Sequence, residues 1–536
     1  MNLKSYKHLN NFYLIIFIIS LFGFLIRLLG INWDQGILFH PDERQLLMIS
    51  ERISLTNLDP GWYNYGTLPL YLLELFSFGI DDLKTLRFPG RILSSLFDSI
   101  SIFLIGELGK RFHSKLTGIL SSIFYSTCVL ALQLSHFFTV DTFLNTSIIL
   151  ILLLCSNLIQ KYNTKNLIYL SIAIGVGFAI KISIFIIAVP VLITLIFSTK
   201  FKINLSNFKI QNFLPLLGSI IITGLVSIVS FSLLNPYSII NLQEFINSSK
   251  IQSEMARGII DFPYTRQYIN TTPYIYHISQ LIKVSLGPFL GIFSIFSFTF
   301  ILLKIKKTSN PLWFILLSWA VSYFAFYGLI HTKFIRYLFP LIPIMLIFNS
   351  YALVTIYKDY LYKFRKISLI FFSIFIIASL HYFISFIMLF NSDHNANIAA
   401  KYIDNNFVEN SILVKEHWDE SLPFKRSFII QEIPLYDSES TTKIRNISNT
   451  LSNSDGIFIS SKRLIGTIPR LYERYPLTTN YYKKLLDGDL GYDLVKHQSK
   501  NLNFLGVHYY SDPFNRVKNL NFEKNNNLNF KINLGW

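Results

Sequence analysis

Along the first 390 residues, apolar runs of about 18 to 22 residues recur between short polar stretches. A run of that length crosses a hydrocarbon core about 30 Å thick as a helix, the form in which every backbone polar group is satisfied internally. The pattern predicts about eleven spanning helices, near 12–30, 88–108, 116–134, 143–160, 166–181, 183–198, 212–234, 281–303, 312–330, 335–357 and 368–390. Beyond residue 390 the runs stop and amphipathic and alternating segments replace them. There 396–407 reads as a helix and 411–415 and 456–460 as strands, which predicts a soluble α/β domain over 391–536. From Asn519 the interleaved Asn and Lys have the composition of a frayed end. The expected architecture is an α-helical polytopic membrane domain over 1–390, with long outer loops near 31–87 and 235–280, followed by this α/β domain.

Composition agrees: 51% of residues are hydrophobic and only 15% charged. A net charge of +17 raises the question of nucleic acid, and the distribution of the charge answers it. The cations collect in alternate short loops: Lys4 and Lys7; Lys110, Arg111 and Lys115; Lys161 and Lys165; Lys200, Lys202 and Lys209; Lys304, Lys306 and Lys307; Lys358, Lys363, Arg365 and Lys366. Those loops hold almost no acid, which is the positive-inside pattern of a membrane protein, so no nucleic-acid partner is expected. It sets the N-terminus inside and, after eleven crossings, the C-terminal domain outside the membrane. The first apolar run exceeds a signal-peptide core and lacks a small-residue cleavage site, so it is expected to be an anchor. Cys128 and Cys155 both fall within expected helices, which excludes a disulfide framework and a zinc-type spacing.

Polar residues placed at the outer face are the candidates for chemistry. Directly after the first helix comes Phe39-His40-Pro41-Asp42-Glu43-Arg44. Two adjacent acids are costly near hydrocarbon unless solvated or used. Pro41 suits the first position of a helix whose dipole would stabilise Asp42 and Glu43. Asp141, in the outer link between the third and fourth helices, is expected on the same side, and N-capping explains it equally well. Lys181 ends an apolar stretch that contains Gly175 and Gly177; it snorkels to the interface or points inward at an anion. Lys333 and Arg336 would share a helix face, with Tyr337 adjacent and Arg91 at the same level. Several cations opposite two acids suit a phosphate in the headgroup zone, and plain lipid contact is the competing explanation. Trp33, Trp62, Tyr63 and Tyr65 could stack on a sugar, although interfacial belts use the same residues. In the C-terminal domain, Lys415 to Glu420 only loosely suggests a metal cluster, since no helical His spacing supports it.

Taken together, His40-Pro41-Asp42-Glu43, Tyr65-Gly66-Thr67-Leu68-Pro69, Arg91, His136 to Asp141, Gly175 to Lys181, and Arg336-Tyr337 with Pro340 and Pro343 resemble the GT-C membrane glycosyltransferases. The resemblance is to the bacterial branch related to protein O-mannosyltransferases and aminoarabinose transferases. Trp418 to Pro423, Tyr475 to Thr479 and Leu490-Gly491-Tyr492 are similar to C-terminal segments of a subset of these enzymes.

The resemblance implies the GT-C fold and an inverting hexosyl- or pentosyltransferase. Its donor would be a sugar on polyprenyl phosphate, and its acceptor a hydroxyl of lipid, glycan or protein outside the membrane. It makes Asp42 the expected catalytic base. Lys181 and Arg336 are expected at the phosphate, with Arg91 and Lys333 behind them, while Glu43 and Asp141 would orient acceptor or sugar. Asp42, Glu43 and Asp141 are the expected ligands if a divalent metal ion takes part, and His40 and Tyr337 complete the expected substrate-binding set. Two other functions fit the same residues: a flippase for lipid-linked sugars, and a non-catalytic lipid-glycan binding protein. Transporters usually place binding residues at mid-membrane and carry broken helices or inverted repeats, whereas here the charge gathers at one face, which disfavours the flippase.

Overall fold

The computed structural model describes residues 3–54, 56–77, 79–80, 82–199, 210–360, 365–498, 500 and 502–509. The cations Lys200, Lys202, Lys209 and Lys363 and the segment from Asn519 lie outside these residues.

Among the described residues, eight helices are long and apolar enough to span a membrane: the one ending at Leu28, Leu83–Phe112, Val140–Gln160, Phe213–Leu234, Gly287–Lys304, Leu312–Leu329, Ile335–Asp359, and one whose apolar run starts at Phe372. Lys115–Ser126 and Val129–Ser135 form a ninth, bent by 56°. Two of the expected spans are shorter apolar helices, Thr164–Phe178 and Ile182–Ser198. The expected count of about eleven therefore corresponds to eight full-length helices, one bent pair and two short helices.

The chain divides into two compact units. One comprises residues 1–31, 40–257 and 272–383; the other comprises 32–39, 258–271 and 384–536.

In the first unit the Leu83–Phe112 helix is central. Asp82 caps it, its carboxylate accepting from Thr85 N at 2.9 Å. At its far end Lys110 and Arg111 pair with Glu107 at 2.5 and 2.7 Å, where cations oppose the helix dipole. It starts five residues earlier than expected because the Asp82 cap outweighs Pro89, which the helix carries in its second turn. Small residues let the next helix approach closely: a Cβ on Gly118 would lie 2.3 Å from the Gly106 carbonyl oxygen. Inside this packing lies a polar network. Arg27 Nε donates to Asp98 at 2.5 Å, and Tyr125 Oη donates to the other Asp98 oxygen at 2.5 Å. Asn145 Nδ2 donates to Tyr125 Oη at 2.7 Å. Four helices thus meet at one buried ion pair.

The second unit contains a three-stranded parallel sheet in the order β2-β1-β3, formed by β1 (Ile412–Glu416), β2 (Ile429–Ile433) and β3 (Gly456–Phe458), and an antiparallel hairpin of β4 (Leu502–Phe504) and β5 (Val507–Tyr509). Val414, Ile433, Ile447, Leu451, Ile468 and Tyr482 build its core between the sheet and the Thr441–Ser452 and Pro476–Asp487 helices. Residues 258–271 belong to this unit through Arg266, which pairs with Asp261 at 2.9 Å and donates to the Tyr436 carbonyl at 2.8 Å and Tyr475 Oη at 2.7 Å.

Glu416 ends β1 at 1% exposure, with Tyr482 Oη donating to one carboxylate oxygen at 2.7 Å and no partner on the other. Burial, reinforced by the charge of Asp419, raises its carboxyl well above the ordinary 4.5, and the Tyr482 bond offsets this only in part. A raised carboxyl favours the folded state fully below about pH 4.5 and loses that contribution as pH climbs through the folded value. Glu416→Gln is therefore expected to gain in melting temperature relative to wild type between pH 4.5 and pH 8. A gap that does not move with pH would show that Glu416 takes up no proton on folding.

Candidate active site

The sequence places Pro41 at the first position of a helix, and the structure has the helix there, Pro41–Ser50, with Asp42 and Glu43 in its first turn. His40 is its N-cap: Nδ1 accepts from Glu43 N at 3.2 Å, and the ring stacks on Phe137 at 4.4 Å. Burial is the main cause that lowers His40 to about 4, so its imidazole is neutral and Nδ1 is free to accept.

The two adjacent acids have different surroundings. Glu43 is fully buried and takes both arms of Arg91, Nε at 2.8 Å and Nη2 at 2.7 Å, while Phe138 N donates to it at 2.9 Å. Arg91 in turn donates to the Ile31 carbonyl at 2.6 Å. This fork ties together the backbone at Ile31 and Phe138 and the helices that carry Glu43 and Arg91.

Asp42 retains 26% side-chain exposure and pairs with Arg336, itself 17% exposed. Tyr65 Oη lies 3.5 Å from the same Asp42 oxygen. Burial alone would raise the Asp42 carboxyl, but the charge of Arg336, helped by His40, Lys181 and the Arg336 hydrogen bond, leaves it below its ordinary value. Arg336 Nε is buried without a hydrogen-bond partner, so a donor beside the acid is unspent.

Lys181 lies outside the expected helix, which ends at Phe178; it has an extended backbone and precedes a short 3₁₀ turn. Its ammonium reaches Asp141 at 3.3 Å and lies over the rings of Tyr65 at 5.0 Å and Tyr337 at 5.9 Å. Asp141 sits within the first turn of its helix, where Thr139 holds the cap position, so ion pairing replaces the capping role. Lys333 and Arg336 do not share a helix face, because the 3₁₀ helix begins at Ile335. Lys333 is buried and donates to the His331 carbonyl at 3.0 Å.

Two further residues complete the arrangement. Tyr65 bridges the two ion pairs; the sequence offered it as a stacking aromatic, and its position four helices before that of Asp141 hid this role. Gly66 N donates to the Ile180 carbonyl at 3.0 Å and Leu68 N to the Ala179 carbonyl at 3.2 Å, which fixes the Tyr65 loop against the Lys181 segment.

The three acids do not gather into a metal-ligand set. Asp42, Glu43 and Asp141 each face a cation of their own, and among the described residues no group of three His, Cys, Asp or Glu side chains could hold an ion, the Lys415–Glu420 segment included.

Comparison with known proteins agrees with the fold. Residues 71–230 match the family described as dolichyl-phosphate-mannose-protein mannosyltransferase. No curated protein matches the chain by sequence. Among solved structures, the chain is similar to the Archaeoglobus fulgidus oligosaccharyltransferase AglB in complex with an inhibitory peptide and a dolichol-phosphate, at a TM-score of 0.52 and 14% identity, over 90% of this chain and 73% of that one. It is similar to the apo form from the same organism at 0.51 and 14%, spanning 80% of this chain and 65% of that one. It is also similar to ArnT from Cupriavidus metallidurans bound to undecaprenyl phosphate, at 0.51 and 13%, over 84% and 94% of the two chains. The chain therefore shares its fold with these oligosaccharyltransferase and ArnT structures, and over residues 71–230 it is similar to the dolichyl-phosphate-mannose-protein mannosyltransferase family.

Proposed function

We propose that the protein transfers a sugar from a polyprenyl-phosphate donor to an acceptor hydroxyl at the extracytoplasmic face, with inversion, and that Asp42 is the base. The observation that carries this reading is the pairing of a partly exposed carboxylate with an arginine that keeps a buried, unspent N–H donor. The two lipid-phosphate complexes among the structural neighbours support a lipid phosphate as the ligand of that donor. The alternation of basic loops supports the orientation.

In this mechanism the acceptor oxygen attacks the anomeric carbon from the face opposite the phosphate. As the new C–O bond forms, the hydroxyl acidifies and its proton passes to Asp42. The bond from the anomeric carbon to the phosphate oxygen breaks with its electron pair, so a singly charged phosphodiester becomes a doubly charged monoester. Arg336 and Lys181 stabilise the added charge, and no second carboxylate is needed to protonate the leaving group. Loss of either cation is expected to lower turnover by about two decades.

A methyl group at Gly66 would lie 2.0 Å from the Ala179 carbonyl oxygen, so Gly66→Ala must break the backbone link between the Tyr65 loop and the Lys181 segment. It is expected to lower transfer by about tenfold or more, since roughly 1 Å of misplacement costs that much or more. Wild-type turnover in Gly66→Ala would mean that the loop position is unimportant for the chemistry.

The deciding experiment supplies purified protein with a panel of radiolabelled polyprenyl-phosphate sugars and membrane extract. Label in a new product supports the reading and names the sugar. Movement of donor between leaflets with no product would replace it by a transporter.

A further inference from the structure

In the second unit, β1 is the middle strand of a parallel sheet, with β2 on one side and β3 on the other. The crevice outside the carboxyl end of such a strand is where open α/β sheets bind ligands. The turn that leaves β1 there is His417-Trp418-Asp419-Glu420.

Trp418 has φ +72, a left-handed conformation that a bulky side chain rarely adopts, and yet its indole is 41% exposed. Core packing therefore does not explain the strained residue. Groups at the end of β2, on β1 and in the segment after β3 hold it there. Arg463 Nη1 donates to the Trp418 carbonyl at 2.7 Å, and His417 N to the Ile433 carbonyl at 3.1 Å. The Asp419 carboxylate accepts from Ser461 N at 2.8 Å and Ser461 Oγ at 2.9 Å, while Lys415 Nζ donates to the Asp419 carbonyl at 2.9 Å. Strain maintained by so many bonds is a mark of functional positions.

Solvent-facing polar groups stand beside the indole. His417 lies edge-on to it at 5.4 Å, and its Nδ1 meets Glu432 at 2.7 Å; Lys415 Nζ meets the other Glu432 oxygen at 2.8 Å. The Lys415 hydrogen bond, followed by that of His417, lowers the Glu432 carboxyl, so it faces solvent as a carboxylate. An exposed tryptophan joined through His417 to a fixed, accessible carboxylate complements a pyranose, whose C–H face is apolar and whose edge carries hydroxyl donors. A lipid surface would ask for a contiguous apolar patch in place of the charged rim.

We propose that Trp418, with Glu432 and His417, forms a saccharide subsite on the C-terminal domain that receives a pyranose of the acceptor. The word acceptor rests on the transferase reading; the saccharide site stands on the turn alone.

The test uses the full-length protein in lipid nanodiscs without donor. Mannotriose, chitotriose and maltotriose are the probes, each at millimolar concentration, and binding is read by saturation-transfer NMR. At least one trisaccharide is expected to receive saturation on its ring protons. Trp418→Phe keeps that binding, and Glu432→Gln weakens it. Trp418→Gly weakens it by about tenfold, on the scale of one aromatic stacking contact, but melts no lower than wild type because glycine accepts this φ freely. Wild-type binding in Trp418→Gly, a lowered melting temperature in that variant, or no uptake of saturation by any trisaccharide would overturn the proposal. Asp42→Asn should bind the trisaccharide as wild type does whatever happens to its transfer, so the two readings fail separately.

Discussion

Asp42→Asn is expected to lower transfer by about two to four decades, the contribution of a positioned base, with the protein still folded. Asparagine keeps the shape and can still accept from Tyr65, whose hydroxyl lies 3.5 Å from the carboxylate. It cannot take the acceptor proton. The fold should tolerate the change because this ion pair is partly exposed, so Arg336 is not left as an uncompensated buried charge. Release from the carboxylate also frees Arg336 for the donor phosphate, so KM for the donor should hold or fall while kcat collapses. Steady-state kinetics on detergent-purified protein, with thermal melting alongside, separates the outcomes. Near-normal kcat would remove Asp42 from the chemistry, and a large drop in melting temperature would make it structural. In the wild type the acid limb of kcat/KM should lie below the ordinary carboxylate range, since Arg336 and the groups around it outweigh burial and lower the Asp42 carboxyl.

Glu43→Ala should do the opposite: destabilise by about 3–5 kcal/mol, the cost of leaving a buried partner charge unpaired. Arg91 would lose both of its bonds to the carboxylate and Phe138 N its acceptor. The double variant Glu43→Leu with Arg91→Met should recover much of the loss, because removing both charges removes the desolvation cost of each. Recovery should fall short by about 1–3 kcal/mol for the orphaned Phe138 N–H. Melting in detergent reads all three proteins. A Glu43→Ala variant that melts like wild type but no longer transfers would return Glu43 to the substrate-binding role that its neighbour Asp42 suggested.

This contrast marks the limit of what the sequence discloses. The apolar runs announced the spans, and His40-Pro41-Asp42-Glu43 announced a helix start bearing acids, because both signals are local. Which cation answers which acid is not local. Arg336 meets Asp42 across 294 positions, Arg91 meets Glu43 across 48 and Lys181 meets Asp141 across 40. Lys181 read as helical because its neighbours are apolar; only packing of the Tyr65 loop against Ala179 and Ile180 reveals why the helix stops short. The Arg27 to Asp98 pair had a local signal, a charge within each of two apolar runs, and that signal was submerged in the hydropathy of the runs. In the second unit β2 is half exposed and carries Gln431 and Glu432, so its alternation was too weak to read as a strand.

The same buried pair bears on how the molecule is made. Arg27 emerges from the ribosome 71 residues before Asp98, so the first helix must enter the bilayer carrying a cation whose counter-ion has not yet been synthesised. A lone charge at the centre of a helix, as at Asp98, costs about 2.5–3.5 kcal/mol during insertion, and one near a helix end, as at Arg27, costs less. The first helix is therefore neutralised only when the second arrives and Asp98 packs against it. Coding changes that slow translation between residues 27 and 98 should then reduce the yield of inserted protein while leaving the finished molecule unaltered.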